Sequence, residues 1–288
     1  MKAKDTFFSK NETLNFGGEL VKMQYPVVMG IVNITPDSFY AESRVNSEEE
    51  LIRRVQTQLD NGAFCIDLGA YSTRPNAQDI DIEEEIKRLD WALKIIKKEF
   101  SKTIISVDTF RSEVVRWAYN TYGISVVNDV SGGLADAEMF RTIATVKVPY
   151  ILMHTRGTPQ NMQSMAQYNN VTKEVMFELS VQLNKARDCG VSDIIIDPGF
   201  GFAKNLEQNY ELLSNLEVFQ FFELPIMVGL SRKSMVYKLL NTTPDNALNG
   251  TTALNTIALL KKADILRVHD VKQAVEVIKI VKNLTKFK

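Results

Sequence analysis

Val27-Val-Met-Gly-Ile-Val-Asn33 is an uncharged run rich in β-branched residues that breaks off at an amide side chain. β-branched side chains favour extended backbone, and a strand without apolar/polar alternation is one buried on both faces. Runs of the same kind recur at Phe64–Leu68, Ile104–Val107, Ser125–Val127, Tyr150–Met153, Ile194–Ile196, Ile226–Val228 and Ile265–Val268. Longer stretches with helical periodicity separate them, among them Glu48–Asn61, Ile82–Phe100, Thr172–Cys189, Thr251–Lys262 and Lys272–Leu284. Strands alternating with helices pair in parallel through right-handed crossovers. Eight such units predict an α/β chain folded as a single (β/α)8 TIM barrel rather than an open sheet.

Upstream of the first run, Leu14, Phe16, Leu20 and Val21 flank Gly17-Gly18, a dipeptide suited to the positive φ of a tight turn. Residues 1–25 are therefore expected to add a β-hairpin that covers the bottom of the barrel. No linker rich in Pro, Gly or Ser interrupts the 288 residues, so one domain is expected over 1–288. With 34 basic against 35 acidic residues and no basic stripe, neither nucleic acid nor an anionic membrane is the expected partner. The opening MKAKDTFFSKNETLNF lacks the apolar core of a signal peptide, and no later stretch could span a bilayer. A cytoplasmic chain is expected, with Cys65 and Cys189 as buried, reduced thiols.

In a barrel of this kind the active site is assembled from residues just past the C-terminal ends of the strands. Here every strand end is polar. They carry Asn33 and Asp37; Asp67 with Thr73-Arg74-Pro75; Asp108-Thr109; Asn128-Asp129 with Ser131; His154 and Arg156; Asp197; Ser231-Arg232-Lys233; and Arg267 with His269-Asp270. Helix capping accounts for Asp129, Ser131, Asp270 and Thr109. It does not account for Asp67, Asp108 and Asp197 at the strand tips, whose carboxylates would repel one another unless donors or cations met them. Arg74, Arg232, Lys233, Arg267 and His269 supply that charge. A mouth of carboxylates and amides on one side and cations on the other suits an N–H-rich heterocycle bearing an anionic group. A Schiff-base role for Lys233 is the alternative; the neighbouring arginines favour oxyanions instead.

In order, several stretches resemble the signature motifs of the dihydropteroate synthases. They are Met29–Phe39, Asp67–Pro75, Ser106–Thr109, Asn128–Gly133, Met153–Gln160, Asp197–Lys204, Gly229–Ser234 and Arg267–Asp270. The resemblance implies that 6-hydroxymethyl-7,8-dihydropterin diphosphate is condensed with p-aminobenzoate, giving 7,8-dihydropteroate and diphosphate for folate synthesis. It implies a pterin site of Asp108, Asn128, Met153, Asp197 and Lys233, and a diphosphate site of Asn33, Arg74, Arg267 and His269. Mg2+ would be held by Asn33. The p-aminobenzoate pocket would comprise Phe39, Thr73, Pro75, Phe202 and Ser234, with Asp37, Lys233 and Arg267 acting in the reaction. Sulfonamides would mimic p-aminobenzoate, and the protein would be a homodimer through helices of the C-terminal half, with Leu239, Leu240, Ile257 and Leu260 as candidate contacts. The stretch departs from the family pattern at Ala70, Tyr71 and Asn76, where a glycine, a glutamate and a glycine are usual. Two other readings share the pterin-binding barrel: a methyltetrahydrofolate-binding methyltransferase and a non-catalytic pterin binder. The first needs neither a diphosphate site nor an amine-substrate loop; the second would be expected to have lost Asp37 and Arg74.

Overall fold

The computed structural model describes residues 13–34, 47–72, 79–158 and 160–286. Strands β1 (Thr13–Phe16) and β2 (Glu19–Lys22) pair antiparallel, with Thr13 opposite Lys22 and Phe16 opposite Glu19. Gly17 and Gly18 turn the chain at φ +66° and +103°, where a side chain would be strained. The Asn15 carboxamide oxygen accepts the Gly18 N–H at 2.7 Å and closes the turn.

Eight parallel strands follow: β3 (Val27–Asn33), β4 (Cys65–Gly69), β5 (Ile105–Asp108), β6 (Val126–Asp129), β7 (Tyr150–Met153), β8 (Ile194–Asp197), β9 (Met227–Val228) and β10 (Ile265–Val268). Their order is β8-β7-β6-β5-β4-β3-β10-β9. A parallel bridge between Ile196 and Ile226 joins the two ends, with the Ile196 N–H donating to the Pro225 carbonyl at 2.9 Å. The sheet thus closes into the expected barrel, which leaves no open edge. Outside it run α1 (Glu48–Asp60), α2 (Ile82–Glu99), α3 (Ser112–Tyr122), α4 (Met139–Val146), α5 (Val171–Asp188), α6 (Leu206–Ser214), α7 (Ser234–Tyr237), α8 (Leu248–Leu260) and α9 (Val271–Thr285). Among the described residues no helix is long and apolar enough to cross a membrane.

The strands build two cores because successive side chains point to opposite faces. Val28, Val32, Ile66, Leu68, Ile105, Val107, Val127, Leu152, Ile196, Leu266 and Val268 pack outward against the helices. Met29, Cys65, Val126, Ile151, Ile195, Met227 and Ile265 fill the barrel interior together with Leu14 and Met23. The hairpin therefore does plug the barrel floor, and the Asn15 N–H donates to Asp193 at 3.0 Å to hold it there. Two residues further along several strands the inward position turns polar: Asp67 follows Cys65, Asn128 follows Val126, Asp197 follows Ile195 and Arg267 follows Ile265. The same alternation that fills the floor thus sets functional side chains above it.

One expectation about the thiols is corrected. Cys65 is buried, but Cys189 is exposed, because it caps the C-terminal end of α5 where the helix meets solvent.

Candidate active site

Arg267 is the hub of the barrel mouth. Its Nε donates to the Asp67 carboxylate at 2.6 Å and its Nη2 to Asp108 at 2.6 Å. Asn128 Nδ2 donates to the same Asp67 oxygen at 3.0 Å. These side chains come from β10, β4, β5 and β6, so they meet only across the interior. Asp67 is fully buried, and its second oxygen, also buried, has no hydrogen-bond partner among the described residues. Sequence reasoning had placed Asp67 at the strand tip without a role. In the structure it holds both Arg267 and Asn128 in place. Its signal was the inward register it shares with Arg267.

Asp197 stands across the mouth, buried, with the Gly199 N–H donating to its Oδ1 at 2.8 Å. Burial raises its carboxyl, opposed by the Lys233 cation and by the Gly199 bond. Lys233 Nζ donates to the Phe200 carbonyl and lies over the Phe202 ring at 4.6 Å. Burial lowers its ammonium to about 8 against the pull of Asp197. Met153 is buried at the end of β7, while Asn33, Phe202 and Ser234 are half-buried. The His269 backbone N–H donates to Ser231 Oγ at 3.2 Å, which ties the end of β10 to the loop after β9. Asp37, Phe39, Thr73, Arg74, Pro75 and Asn76 lie outside the described residues. The Tyr71 hydroxyl donates to Asp79 at 3.0 Å, and Arg111 lies over the Tyr71 ring at 5.4 Å.

Two expectations about the strand ends are corrected. Arg232 is not an oxyanion ligand: its guanidinium makes paired 2.9 Å bonds to Asp270 and donates to the Pro244 and Asp245 carbonyls. Its backbone sits at φ +54°, in the left-handed region. Asp270, spent on this pair, makes no cap bond to α9. Asp129 closes the turn after β6 and caps no helix, accepting from the Ser131 and Gly133 N–H groups and from the Tyr150 hydroxyl at 2.6 Å.

Burial pushes the Asp108 carboxyl up to about 7; Arg267 opposes this and Asp67 adds to it. The folded-state value lies above the unfolded one, so this group's contribution to stability is complete at acid pH and is lost as pH rises through about 7. Its consequence for binding has the opposite sense. A heterocycle presenting N–H donors needs the carboxylate, so affinity for such a ring is expected to rise with pH through about 7 and then level off. Calorimetric titrations between about pH 5.5 and 8.5 check this, with Asp108→Asn expected to flatten the profile.

The mouth now has a definite chemistry: acceptors Asp108, Asn128 and Asp197 for a donor-rich ring, and the cations Lys233 and Arg267 around them. Residues 29–269 match the family of pterin binding enzymes. The chain is 38% identical to the dihydropteroate synthase of Escherichia coli K12 over 92% of its own length and 93% of that protein's. The crystal structure of Yersinia pestis dihydropteroate synthase with a sulfonamide superposes with a TM-score of 0.89 at 34% identity, covering 96% of this chain and all of that one. That of the Coxiella burnetii dihydropteroate synthase with pteroic acid gives 0.87 at 33% identity, covering 96% and 100%. The chain belongs to the pterin-binding enzymes and, within them, to the dihydropteroate synthase family.

Proposed function

We propose that the chain condenses 6-hydroxymethyl-7,8-dihydropterin diphosphate with p-aminobenzoate, forming 7,8-dihydropteroate and releasing diphosphate. The observation that carries this reading is the convergence of Asp108, Asn128 and Asp197 with Lys233 and Arg267 at one barrel mouth. A buried heterocycle with several donors forfeits desolvation energy unless acceptors meet it. Asp108, Asn128 and Asp197 are those acceptors; Lys233 donates to the ring carbonyl and Met153 packs on the ring face. The pteroic acid bound by the Coxiella enzyme and the sulfonamide bound by the Yersinia enzyme support both halves of the assignment.

Arg267, His269, Asn33 and Arg74 hold the diphosphate. Arg267 must then leave Asp108 as the substrate enters, freeing that carboxylate for the ring just as the anion takes the guanidinium. The displacement is dissociative: the bond from the pterin methylene to diphosphate oxygen breaks, the amine of p-aminobenzoate attacks the cation-like carbon, and the new ammonium nitrogen sheds one proton to the departed diphosphate or to water. Preorganised cations stabilise the departing anion. Phe202 and Ser234, with Phe39, Thr73 and Pro75, form the amine pocket, and Asp37 acts in the reaction.

Mg2+ fits this site as a substrate-borne ion. Among the described residues no group of three or more acidic, His or Cys side chains could cage a metal. Mg2+ commonly binds through few protein ligands plus phosphate and water, and the half-buried Asn33 offers one neutral oxygen. When bound, the ion would neutralise charge on the departing diphosphate. We also place the protein in the cytoplasm and propose a homodimer. Leu239, Leu240, Ile257 and Leu260 are all exposed, which supports their use as contacts.

The test mixes the pterin diphosphate and p-aminobenzoate and follows diphosphate release, with and without chelator. Release that requires both substrates and falls on chelation is expected. A protein that binds pterin but releases no diphosphate would be a non-catalytic binder. Methyl transfer from methyltetrahydrofolate would mark the third reading.

A further inference from the structure

The loop after β8, Pro198–Lys204, is gripped from two sides by lysines. Lys233 holds the Phe200 carbonyl from the mouth. From behind, Lys204 Nζ donates to the Gly199 carbonyl at 2.9 Å and the Phe202 carbonyl at 3.0 Å, and lies 3.0 Å from His154 Nδ1. Lys204 and His154 are both buried, each 3% exposed. The Glu178 carboxylate behind the ring fixes the tautomer, so Nδ1 is an acceptor, and three acceptors are all satisfied only by an ammonium, since a neutral amine has two N–H donors. His154 carries its proton on Nε2, which faces Glu178 Oε2 at 2.9 Å. Burial, together with the Lys204 cation, lowers the His154 ring to about 4 and keeps it neutral. Arg156 in turn holds Glu178 through Nε at 3.0 Å. Burial lowers the Lys204 ammonium to about 7; Asp197 and Glu178 favour its charge, while Lys233 and Arg156 oppose it.

The loop cannot hold its shape by backbone preference alone. Ala203 sits at φ +47°, a region that residues with a Cβ rarely adopt. At Gly199, φ +72°, a Cβ would lie 1.9 Å from the His154 carbonyl oxygen, so the chain passes through a gap that admits no side chain. This same Gly199 donates its N–H to Asp197 and gives its carbonyl to Lys204. Nothing in the reaction proposed above uses Lys204, His154 or Glu178.

We infer that Lys204, backed by His154 and Glu178, is a positioning residue for the reaction, fixing the loop that presents Phe202 to the amine substrate and orients Asp197 toward the pterin. The inference rests on the function proposed above. It names no contact of Lys204 with substrate. The diphosphate ligands Asn33, Arg267 and His269 lie on other strands and are untouched by it. The expected signature is therefore a split between binding and turnover.

Lys204→Met keeps the apolar stem and removes all the bonds. It is expected to raise KM for p-aminobenzoate about 10-fold and to weaken calorimetric pterin binding several-fold, with kcat falling less than 3-fold. Lys204→Gln retains two donors for the Gly199 and Phe202 carbonyls and is expected to recover most of the loss. Should Lys204→Met fail to fold, Glu178→Gln carries the test, because it leaves Lys204 in place and weakens the hold on the His154 ring behind it along with the Arg156 ion pair; KM for p-aminobenzoate is then expected to rise about 3-fold. A folded Lys204→Met with KM and pterin affinity within twofold of the parent, or a loss confined to melting temperature, overturns the inference. So does an unchanged KM in Glu178→Gln where Lys204→Met does not fold. Pterin calorimetry reads the loop without turnover, so a parent protein that releases no diphosphate would count against the activity and not against this role of Lys204.

Discussion

Replacing Asp197 by Asn is expected to weaken pterin binding about 30- to 1000-fold while leaving the barrel folded. The Gly199 N–H, 2.8 Å from Asp197 Oδ1, decides how the new amide sits. It needs an acceptor, so the Asn oxygen turns toward Gly199 and the NH2 group is left facing the pocket. On the proposed pterin site it would there meet the donor edge of the ring, so that a charged acceptor becomes a donor opposite a donor. Loss of a buried charge-assisted partner of this kind costs roughly 2–4 kcal/mol, which is the quoted fold-change. Asp197 is buried, but it faces the mouth and not the apolar layer, so melting temperature should move little. Calorimetry on the folded variant checks the assignment, and an unchanged pterin affinity would remove Asp197 from the site.

Most of the architecture was legible because the barrel repeats one simple pattern. Runs such as Val27–Val32 and Tyr150–Met153 are apolar on both faces, and the structure keeps them as strands. The weakest reading was Ile226–Val228, of which only Met227 and Val228 form a strand and Ile226 a single closing bridge. Strand ends were legible as a set, since Asp108, Asn128, Asp197 and Arg267 do face one interior. What one-dimensional spacing could not supply is direction after the strand ends. In Ser231-Arg232-Lys233 adjacent cations go opposite ways: Lys233 to Phe200 and Asp197, Arg232 to Asp270. Arg232 also sits at a positive φ, which no residue-type signal announces, because Arg is not a residue expected there. Lys204 was hidden for a related reason. It ends a glycine-rich stretch whose residue types do not show that the loop folds back and buries it.

Replacing Arg267 by Met is expected to have two separable effects, and a second substitution distinguishes them. The first is on stability. Asp67 is fully buried and Arg267 is its only cationic hydrogen-bond partner among the described residues, 2.6 Å away, with Asn128 as a neutral donor. Breaking a buried pair from one side leaves a charge uncompensated and costs roughly 3–5 kcal/mol; the surviving Asn128 bond places this case near the lower end. The second effect is on chemistry. Arg267 is assigned to the departing diphosphate, and loss of one preorganised charge partner in a transition state lowers kcat/KM about 100- to 1000-fold. Adding Asp67→Asn to Arg267→Met removes the orphaned charge, so the double variant should regain most of the melting temperature and none of the activity. Affinity for the pterin alcohol, which lacks diphosphate, should change far less than affinity for the pterin diphosphate, because Asp108 is released from its ion pair and stays available to the ring. Equal weakening of both ligands would show that Arg267 supports the pocket rather than the anion. Recovery of activity along with stability in the double variant would place its whole effect in the fold.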